Sequence, residues 1–183
     1  MDGDVVDMIM QDHREVERLF QELQSSPDKR PLLVPTLTSL LTAHSRAEEA
    51  EVYPVARDEA GESEEVAHSQ EEHAQAEQIL ARLAKADPQS AQFEQVLNEL
   101  VEAVTHHVEE EESNVLPGMR ERLDDRRRAE LGKAFAASRE QHMGDRPGEA
   151  SKEELLTQAR NMGLEGASSM SKEQLEKELH KSR

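Results

Sequence analysis

The sequence contains no cysteine, and its 183 residues include only one tyrosine and three phenylalanines. The absence of cysteine excludes disulfide bonds, thiolate metal sites and a cysteine nucleophile. No run of 18 apolar residues occurs, and the first residues, Met1-Asp2-Gly3-Asp4, lack the basic and apolar regions of a secretory leader. Glycine-rich phosphate loops and nucleophile triads do not occur in the sequence. We therefore expect a soluble, cytoplasmic protein with no membrane partner.

Basic residues are outnumbered, and the formal net charge is -18. The excess is uneven, because the first 150 residues carry 16 basic and 34 acidic groups, whereas residues 151–183 carry six of each. The acidic part would repel nucleic acid and anionic membranes. Most of its glutamates are expected to form a solvated surface.

Glycine and proline are sparse and β-branched runs are short, while Ala, Leu, Glu and Gln dominate, which predicts helices throughout. Apolar stripes predict four long helices over residues 4–24, 31–53, 64–86 and 90–116. Pro54 is expected to end or kink the second helix, and the fourth is expected to end before Pro117. Short connections predict an all-α, up-down-up-down four-helix bundle, with a further helix over 124–142 packed against it.

Composition and turn signals divide the chain into three parts. Residues 1–143 form the predicted bundle, and the glycine- and proline-containing residues 144–150 form a linker. Residues 151–183 form a small unit of two short helices, because capping boxes begin at Ser151 and at Ser171. This unit lies near the lower size limit for independent stability.

Two matching stretches carry the chemistry of the chain. Each has a histidine, glutamates four and five residues later, and a proline ten residues later. The stretches are His44, Glu48, Glu49 and Pro54, and His107, Glu111, Glu112 and Pro117. Because residues i and i+4 share one helix face, each stretch directs an imidazole and a carboxylate to the same point. Each stretch therefore predicts half of a metal site.

Two further histidines, His13 and His73, lie on the inward stripes of the first and third helices. An inward-facing carboxylate such as Glu48 or Glu111 costs several kcal/mol when it is buried unpaired, and a bound cation would offset that cost. The predicted metal ligands are His13, His44, Glu48, His73, His107 and Glu111.

The spacing of the histidines indicates an internal duplication. His73 follows His13 by 60 residues, and His107 follows His44 by 63. A duplicated site has an approximate two-fold axis and room for two metal ions. Imidazole and carboxylate ligands without thiolate suit iron, zinc or manganese, and a dinuclear site bridged by two glutamates favours iron.

Two neighbouring histidines compete for places in this site. His106 also has a glutamate at i+4, but Glu102 and Glu99 lie one and two turns before it, whereas the apolar Val104 and Leu100 lie before His107, which favours His107 as the ligand. His68 precedes His73 by five residues and would face the site only if a π-bulge intervened. His142 and His180 are expected at the surface.

These motifs resemble the hemerythrin family, in particular its bacterial histidine-histidine-glutamate (HHE) cation-binding branch. The resemblance covers roughly residues 4–140 and rests on Asp12-His13, His44-x3-Glu48-Glu49, Tyr53-Pro54, Glu72-His73, His107-x3-Glu111-Glu112 and Leu116-Pro117. It implies a non-heme di-iron centre in a four-helix bundle, with the four histidines as ligands and Glu48 and Glu111 as bridging carboxylates.

The chain departs from oxygen-carrying hemerythrins, which place two histidines at i and i+4 on the third helix. Ser69 and Glu77 flank His73 instead, and Glu77, His68 or a water could fill the gap. The resemblance implies binding or reduction of a small ligand such as O2, NO or peroxide, in a sensor or a stress-protection protein. It leaves open whether the protein is an enzyme.

The C-terminal unit resembles the helix-extended-loop-helix module at the N-terminus of the transcription terminator Rho, which is akin to SAP domains. The matching segments are Ser151 to Leu156, Met162 to Gly166 and Ser169 to Lys172. The module implies contact with nucleic acid, although Ala167 replaces the usual arginine and the unit has no aromatic residue for base stacking. This gives the alternative hypothesis of a regulatory adaptor that contacts nucleic acid or a partner in response to metal or ligand.

Overall fold

The computed structural model describes residues 3–181, and these residues form helices and turns with no β-strand among them. The helices are α1 Val5–Ser25, α2 Arg30–Ala47, α3 Tyr53–Asp58, α4 Ser63–Lys85, α5 Ala91–Glu110, α6 Leu116–Arg122, α7 Asp125–Gln141, α8 Lys152–Asn161 and α9 Lys172–Leu179. Short 3-10 turns occur at Pro27–Lys29 and Ala167–Ser169. The predicted all-α class is confirmed.

Helices α1, α2, α4 and α5 form the bundle, with α1 against α2, α4 against α5, and α2 against α4. The side chains of Asp4 and Ser90 cap α1 and α5 by accepting hydrogen bonds from backbone N–H groups in the first turn. Two apolar clusters fill the interior. One surrounds Leu37, Leu97 and Phe93, and the other contains Val52, Tyr53 and Leu116. The candidate site lies between them.

The second and fourth bundle helices continue past their prolines, so the prediction that they end there is wrong. A π-helical turn at Glu48–Val52 joins α2 to α3, and another at Glu111–Val115 joins α5 to α6. The N–H of Tyr53 bonds to the carbonyl of Glu48, five residues earlier. Each proline then falls in the first turn of the next α-helix, where its missing N–H has no required partner.

Helix α7 packs against α1 and α2, as the sequence predicted. Its fully buried Phe135 meets the His44 ring edge-on, with 5.7 Å between ring centroids. The helix therefore covers the outer side of one candidate ligand.

Residues 150–179 contain an apolar cluster of their own, with Leu155, Leu175 and Leu179 buried in it. Helix α8 also contacts the bundle, because the side-chain amide of Asn161 donates to the Glu49 carbonyl at 2.9 Å and to Gln70 Oε1 at 3.1 Å. Residues 182 and 183 of the predicted C-terminal unit, and residues 1 and 2 of the predicted bundle, lie outside the described residues. In residues 3–181, no helix is both long enough and apolar enough to cross a membrane.

Candidate metal centre

The two inward glutamates each meet two histidines in the middle of the bundle. Glu48 Oε1 lies 2.7 Å from His44 Nε2 and 3.5 Å from His73 Nε2. The second glutamate repeats this arrangement, since Glu111 Oε1 lies 3.4 Å from His13 Nε2 and Glu111 Oε2 lies 3.4 Å from His107 Nε2. The two halves meet where His73 Nε2 and His107 Nε2 approach to 3.0 Å. The structure thus brings all six predicted site residues together.

The imidazole nitrogens and carboxylate oxygens of the centre lie close together and are hidden from solvent. One donor atom from each of Glu48, His73, His107 and Glu111 lies within 4.8 Å of the others, and all four residues are buried. Both glutamates have no exposed surface. Glu48 Oε2 is buried without a hydrogen-bond partner among the described residues, and His13 Nε2, Glu48 Oε1 and Glu111 Oε1 meet only other members of the centre, at 2.7 to 3.5 Å. Unpaired polar atoms of this kind are costly in a folded interior.

A carboxylate lies beside Nδ1 of each of the four histidines in the centre, on the side of the ring away from the inward Nε2. Asp12 lies 2.8 Å from Nδ1 of His44, and Glu72 lies 3.2 Å from Nδ1 of His107. Each of these two pairs joins the two helices of one sequence repeat, α1 with α2 or α4 with α5.

The other two pairs cross between the halves and complete the pattern. Glu112 lies 3.2 Å from Nδ1 of His13, and Glu49 lies 3.6 Å from Nδ1 of His73. A carboxylate on Nδ1 fixes the imidazole ring and leaves Nε2 directed inward, which is the arrangement that proteins commonly use behind metal-bound histidines. The four contacts obey the same approximate two-fold relation as the sequence repeat.

The charged side chains of the centre shift one another's pKa values. Burial alone would lower the pKa of His44, but the Glu48 and Asp12 carboxylates outweigh it and raise the pKa to about 10. Burial would also lower the pKa of His107, but the Glu111 and Glu72 carboxylates outweigh it and raise that pKa to about 10. Burial would raise the pKa of Glu111, yet the neighbouring His107 and His13 hold it well below its usual value. Without a metal ion, protons on His44 and His107 would neutralise part of the negative charge of the carboxylates.

Tyr53 is a site residue that the ligand prediction did not include. Its buried hydroxyl donates to Glu111 Oε2 at 2.7 Å and lies 2.9 Å from His73 Nε2. Burial and the negative charges of Glu111 and Glu48 raise the pKa of Tyr53 well above its ordinary value, so the phenol keeps its proton. The equivalent position in the second half of the repeat is Leu116, so this hydroxyl makes the two halves chemically different.

Five other residues with candidate donor groups do not point into the centre. Helix α4 has no π-bulge, and His68 is exposed on its outer side. His106 is also exposed, while His107 is buried in the centre. Glu77 pairs with Arg46, and His180 is exposed. The half-buried His142 lies beside Asp145, with 2.7 Å between Nδ1 and Oδ2.

A small cavity opens beside the histidines. It has a volume of about 20 Å³, and Val16, Leu41, Val104 and Val108 supply much of its apolar wall. A cavity of this size holds about one water-sized molecule. Leu100 and Phe20 belong to the same apolar cluster as these four residues.

Comparison with known protein families agrees with this geometry. The model of the family described as "Hemerythrin HHE cation binding domain" matches residues 4–118, which is more than half of the chain. The chain belongs to the hemerythrin HHE family. The matched region contains all six candidate ligands and Tyr53, and it ends before α7.

One curated relative of this hemerythrin-family chain is a protein named "DNA nickase" from Nostoc sp. (strain PCC 7120 / SAG 25.82 / UTEX 2576). The two are 29% identical over 140 residues, which is 75% of this chain but 40% of the relative. The chain therefore spans about two fifths of that relative's length. No solved structure gives a significant match.

Proposed function

We propose that this hemerythrin-family protein holds two non-heme iron ions in the centre and binds or reduces a small ligand such as O2, NO or peroxide. His13, His44, His73 and His107 would be terminal ligands, and Glu48 and Glu111 would be the bridging carboxylates. The observation that carries the proposal is the meeting of buried imidazole nitrogens and carboxylate oxygens from these six residues in the middle of the bundle, where Glu48 Oε2 has no polar partner among the described residues. Cations placed there would satisfy atoms that otherwise destabilise the fold.

The donor set supports iron as the metal. Imidazole and carboxylate ligands without cysteine suit iron, manganese or zinc, and paired carboxylates that can bridge two ions favour a dinuclear iron site. The repeated half-sites give each glutamate two histidine neighbours, which supports two ions. When bound, an iron pair would supply electrons and an open coordination position for a small ligand.

The protein's own residues would orient the ligands and control access. The four carboxylates behind the histidines would hold the imidazoles ready, so that little rearrangement accompanies metal binding. The Tyr53 hydroxyl, which keeps its proton, would donate a hydrogen bond inside the centre. The 20 Å³ cavity with its apolar wall has room for about one water-sized molecule, so it would restrict access to small ligands and exclude larger substrates.

Iron analysis together with an optical spectrum tests this proposal. We expect about two iron ions per chain after growth in iron-rich medium, and charge-transfer absorption that changes on exposure to air or peroxide. The variant His44→Ala with His107→Ala should lose the iron. The matched control His142→Ala with His180→Ala removes two imidazoles outside the centre and should retain it. Wild-type protein that is pure, folded and free of iron would refute the proposal.

A second candidate function is a regulatory adaptor, and the docking of α8 favours it. Asn161 contacts Gln70, Gln70 donates to Glu49 Oε2 at 3.2 Å, and Glu49 in turn faces His73. Arg46, which is buried, also reaches Glu154 of α8 at 2.9 Å. A change at the metal centre would therefore alter the surface on which α8 rests.

The adaptor would require residues 144–150 to act as a linker and residues 151–183 as a Rho-like or SAP-like module. The name of the Nostoc relative suggests nucleic acid as the partner. Binding of a DNA oligonucleotide should weaken with added salt, differ between metal-loaded and metal-free protein, and disappear when residues 149–183 are deleted. DNA binding that is absent at low salt in both metal states would refute this function.

A further inference from the structure

Two exposed histidines and a glutamate form a second cluster next to the buried centre. His68 and Glu72 lie one turn apart on α4, and His106 lies opposite on α5. Glu72 Oε2 is 3.3 Å from His106 Nε2 and 3.8 Å from His68 Nε2. The side chains of His68 and His106 are 53% and 59% exposed, whereas that of Glu72 is only 10% exposed. A nearly buried carboxylate therefore directs one oxygen outward between two accessible imidazoles.

The separations fit a single metal ion. A tetrahedral ion with ligands at about 2.1 Å places its donor atoms about 3.4 Å apart. One donor atom from each of the three residues lies within 4.8 Å of the others. Two imidazoles and one carboxylate are a donor set that divalent first-row transition metals accept, with the remaining positions left to water.

The surroundings of this cluster attract cations. A groove of about 220 Å³ beside His68 is lined by three further carboxylates, from Glu64, Glu65 and Glu110. Their negative field raises the local concentration of divalent cations. No arginine or lysine lines this groove, within the described part of the chain.

The cluster is connected to the inner centre by one side chain. Glu72 places Oε1 at 3.2 Å from His107 Nδ1, and its other oxygen faces His68 and His106. A cation held by the outer oxygen would be separated from the inner centre by one carboxylate and one imidazole. The accessible cluster thus lies directly outside the buried one.

In a rival cluster, one of the two carboxylates is already paired with an arginine. His142, Asp145 and Glu154 also have donor atoms within 4.8 Å of one another. However, Glu154 is paired with the buried Arg46 at 2.9 Å, and that guanidinium would repel a cation. Its histidine is therefore suitable as a control.

We propose that His68, Glu72 and His106 form an outer binding site for one divalent transition-metal ion, such as Zn²⁺ or Fe²⁺. The site is distinct from the di-iron centre and shares Glu72 with it as a positioning residue of His107. It goes beyond the proposed function and does not depend on it, because its three donors do not include the six inner residues.

Zinc titration against a chromophoric chelator tests the outer site on the full chain as purified. The variant His68→Ala with His106→Ala should bind one Zn²⁺ fewer per chain than wild type. The control His142→Ala with His180→Ala removes the same number of imidazoles and should bind as wild type does. Circular dichroism should be unchanged in both variants, because all four side chains lie outside the apolar clusters. Equal zinc stoichiometry in the wild type and His68→Ala with His106→Ala would overturn the proposal.

A cobalt spectrum provides a second measurement. Co²⁺ added to wild type should produce visible absorption from a site with nitrogen ligands, and the His68 and His106 double variant should lose the component assigned to the outer ion. Failure of the di-iron proposal would appear as missing iron in all variants, whereas failure of the outer site would appear as no difference between them. A difference that the control variant also shows would overturn the assignment to His68 and His106.

Discussion

Substitution of Asp12 tests whether the carboxylates behind the histidines control metal binding. Asp12 Oδ2 lies 2.8 Å from His44 Nδ1, and its other oxygen accepts from Arg139 of α7. Asp12→Asn keeps the shape of the side chain and removes its charge. The inner ligands remain in place, so a loss of affinity reports the orientation and basicity of His44, provided that Arg139→Gln shows no such loss.

The expected magnitude follows from this geometry. Loss of a carboxylate behind a metal-bound histidine costs about 10- to 100-fold in affinity, or about 1.4 to 2.7 kcal/mol. Asparagine can still accept from Nδ1 through its amide oxygen, so Asp12→Asn should fall near tenfold. Asp12→Ala leaves no acceptor and should approach a hundredfold. Arg139→Gln leaves the Asp12 carboxylate on His44, so it should change metal affinity little.

Anaerobic competition with a chelator of known iron affinity measures these effects, and thermal unfolding of the metal-free proteins checks their folding. The decisive quantity is the ratio of affinities between each variant and wild type. If Asp12→Asn and Asp12→Ala are folded and bind iron as tightly as wild type, the outer carboxylates do not orient the ligands. An equal loss in Arg139→Gln would show instead that the docking of α7 is responsible.

Four other predictions follow from the same structure. Deletion of the exposed Ala50 should convert the first π turn to an α turn and leave Tyr53 facing the centre, because a π turn holds one residue more than an α turn; iron analysis should then show that the metal is retained, and loss of metal from a folded deletion variant would contradict this. Metal loading at pH 7 should release at least one proton each from His44 and His107, as shown by calorimetry in buffers of different ionisation enthalpy; proton-free binding would contradict their raised pKa values. Because those pKa values are raised in the metal-free fold, the resulting stability is complete below about pH 6.5 and is lost as the pH rises through about 10. Leu175→Ala should cost about 2 to 5 kcal/mol and speed hydrogen exchange in residues 151–181 while the bundle stays protected; equal loosening of the bundle would refute the division into two units.

The sequence was sufficient to predict the fold class and the grouping of the six inner residues. Helical periodicity places His13 and Leu23, for example, on the same buried stripe of α1, and the i, i+4 spacing aligns His44 with Glu48. The choice between His106 and His107 followed from the apolar residues one turn before His107. These signals depend only on residues close together in the sequence, so they can be read without a structure.

The features that the sequence did not predict depend on tertiary contacts. Helix-ending rules predict that a helix stops before Pro54 and before Pro117. In the structure, a π turn with a hydrogen bond between residues five apart precedes each proline, and the helix continues. Tyr53 reaches the centre only because of the first π turn. The crossed pairing of Glu49 with His73 joins two helices, although the repeated glutamate at i+5 was a signal that could have suggested it.

The most direct test of the central claim is anomalous diffraction at the iron edge from crystals of the iron-loaded protein. The account predicts two iron peaks per chain, about 3.5 to 4 Å apart and both between Glu48 and Glu111. A single peak, or peaks remote from these two glutamates, would contradict the dinuclear centre.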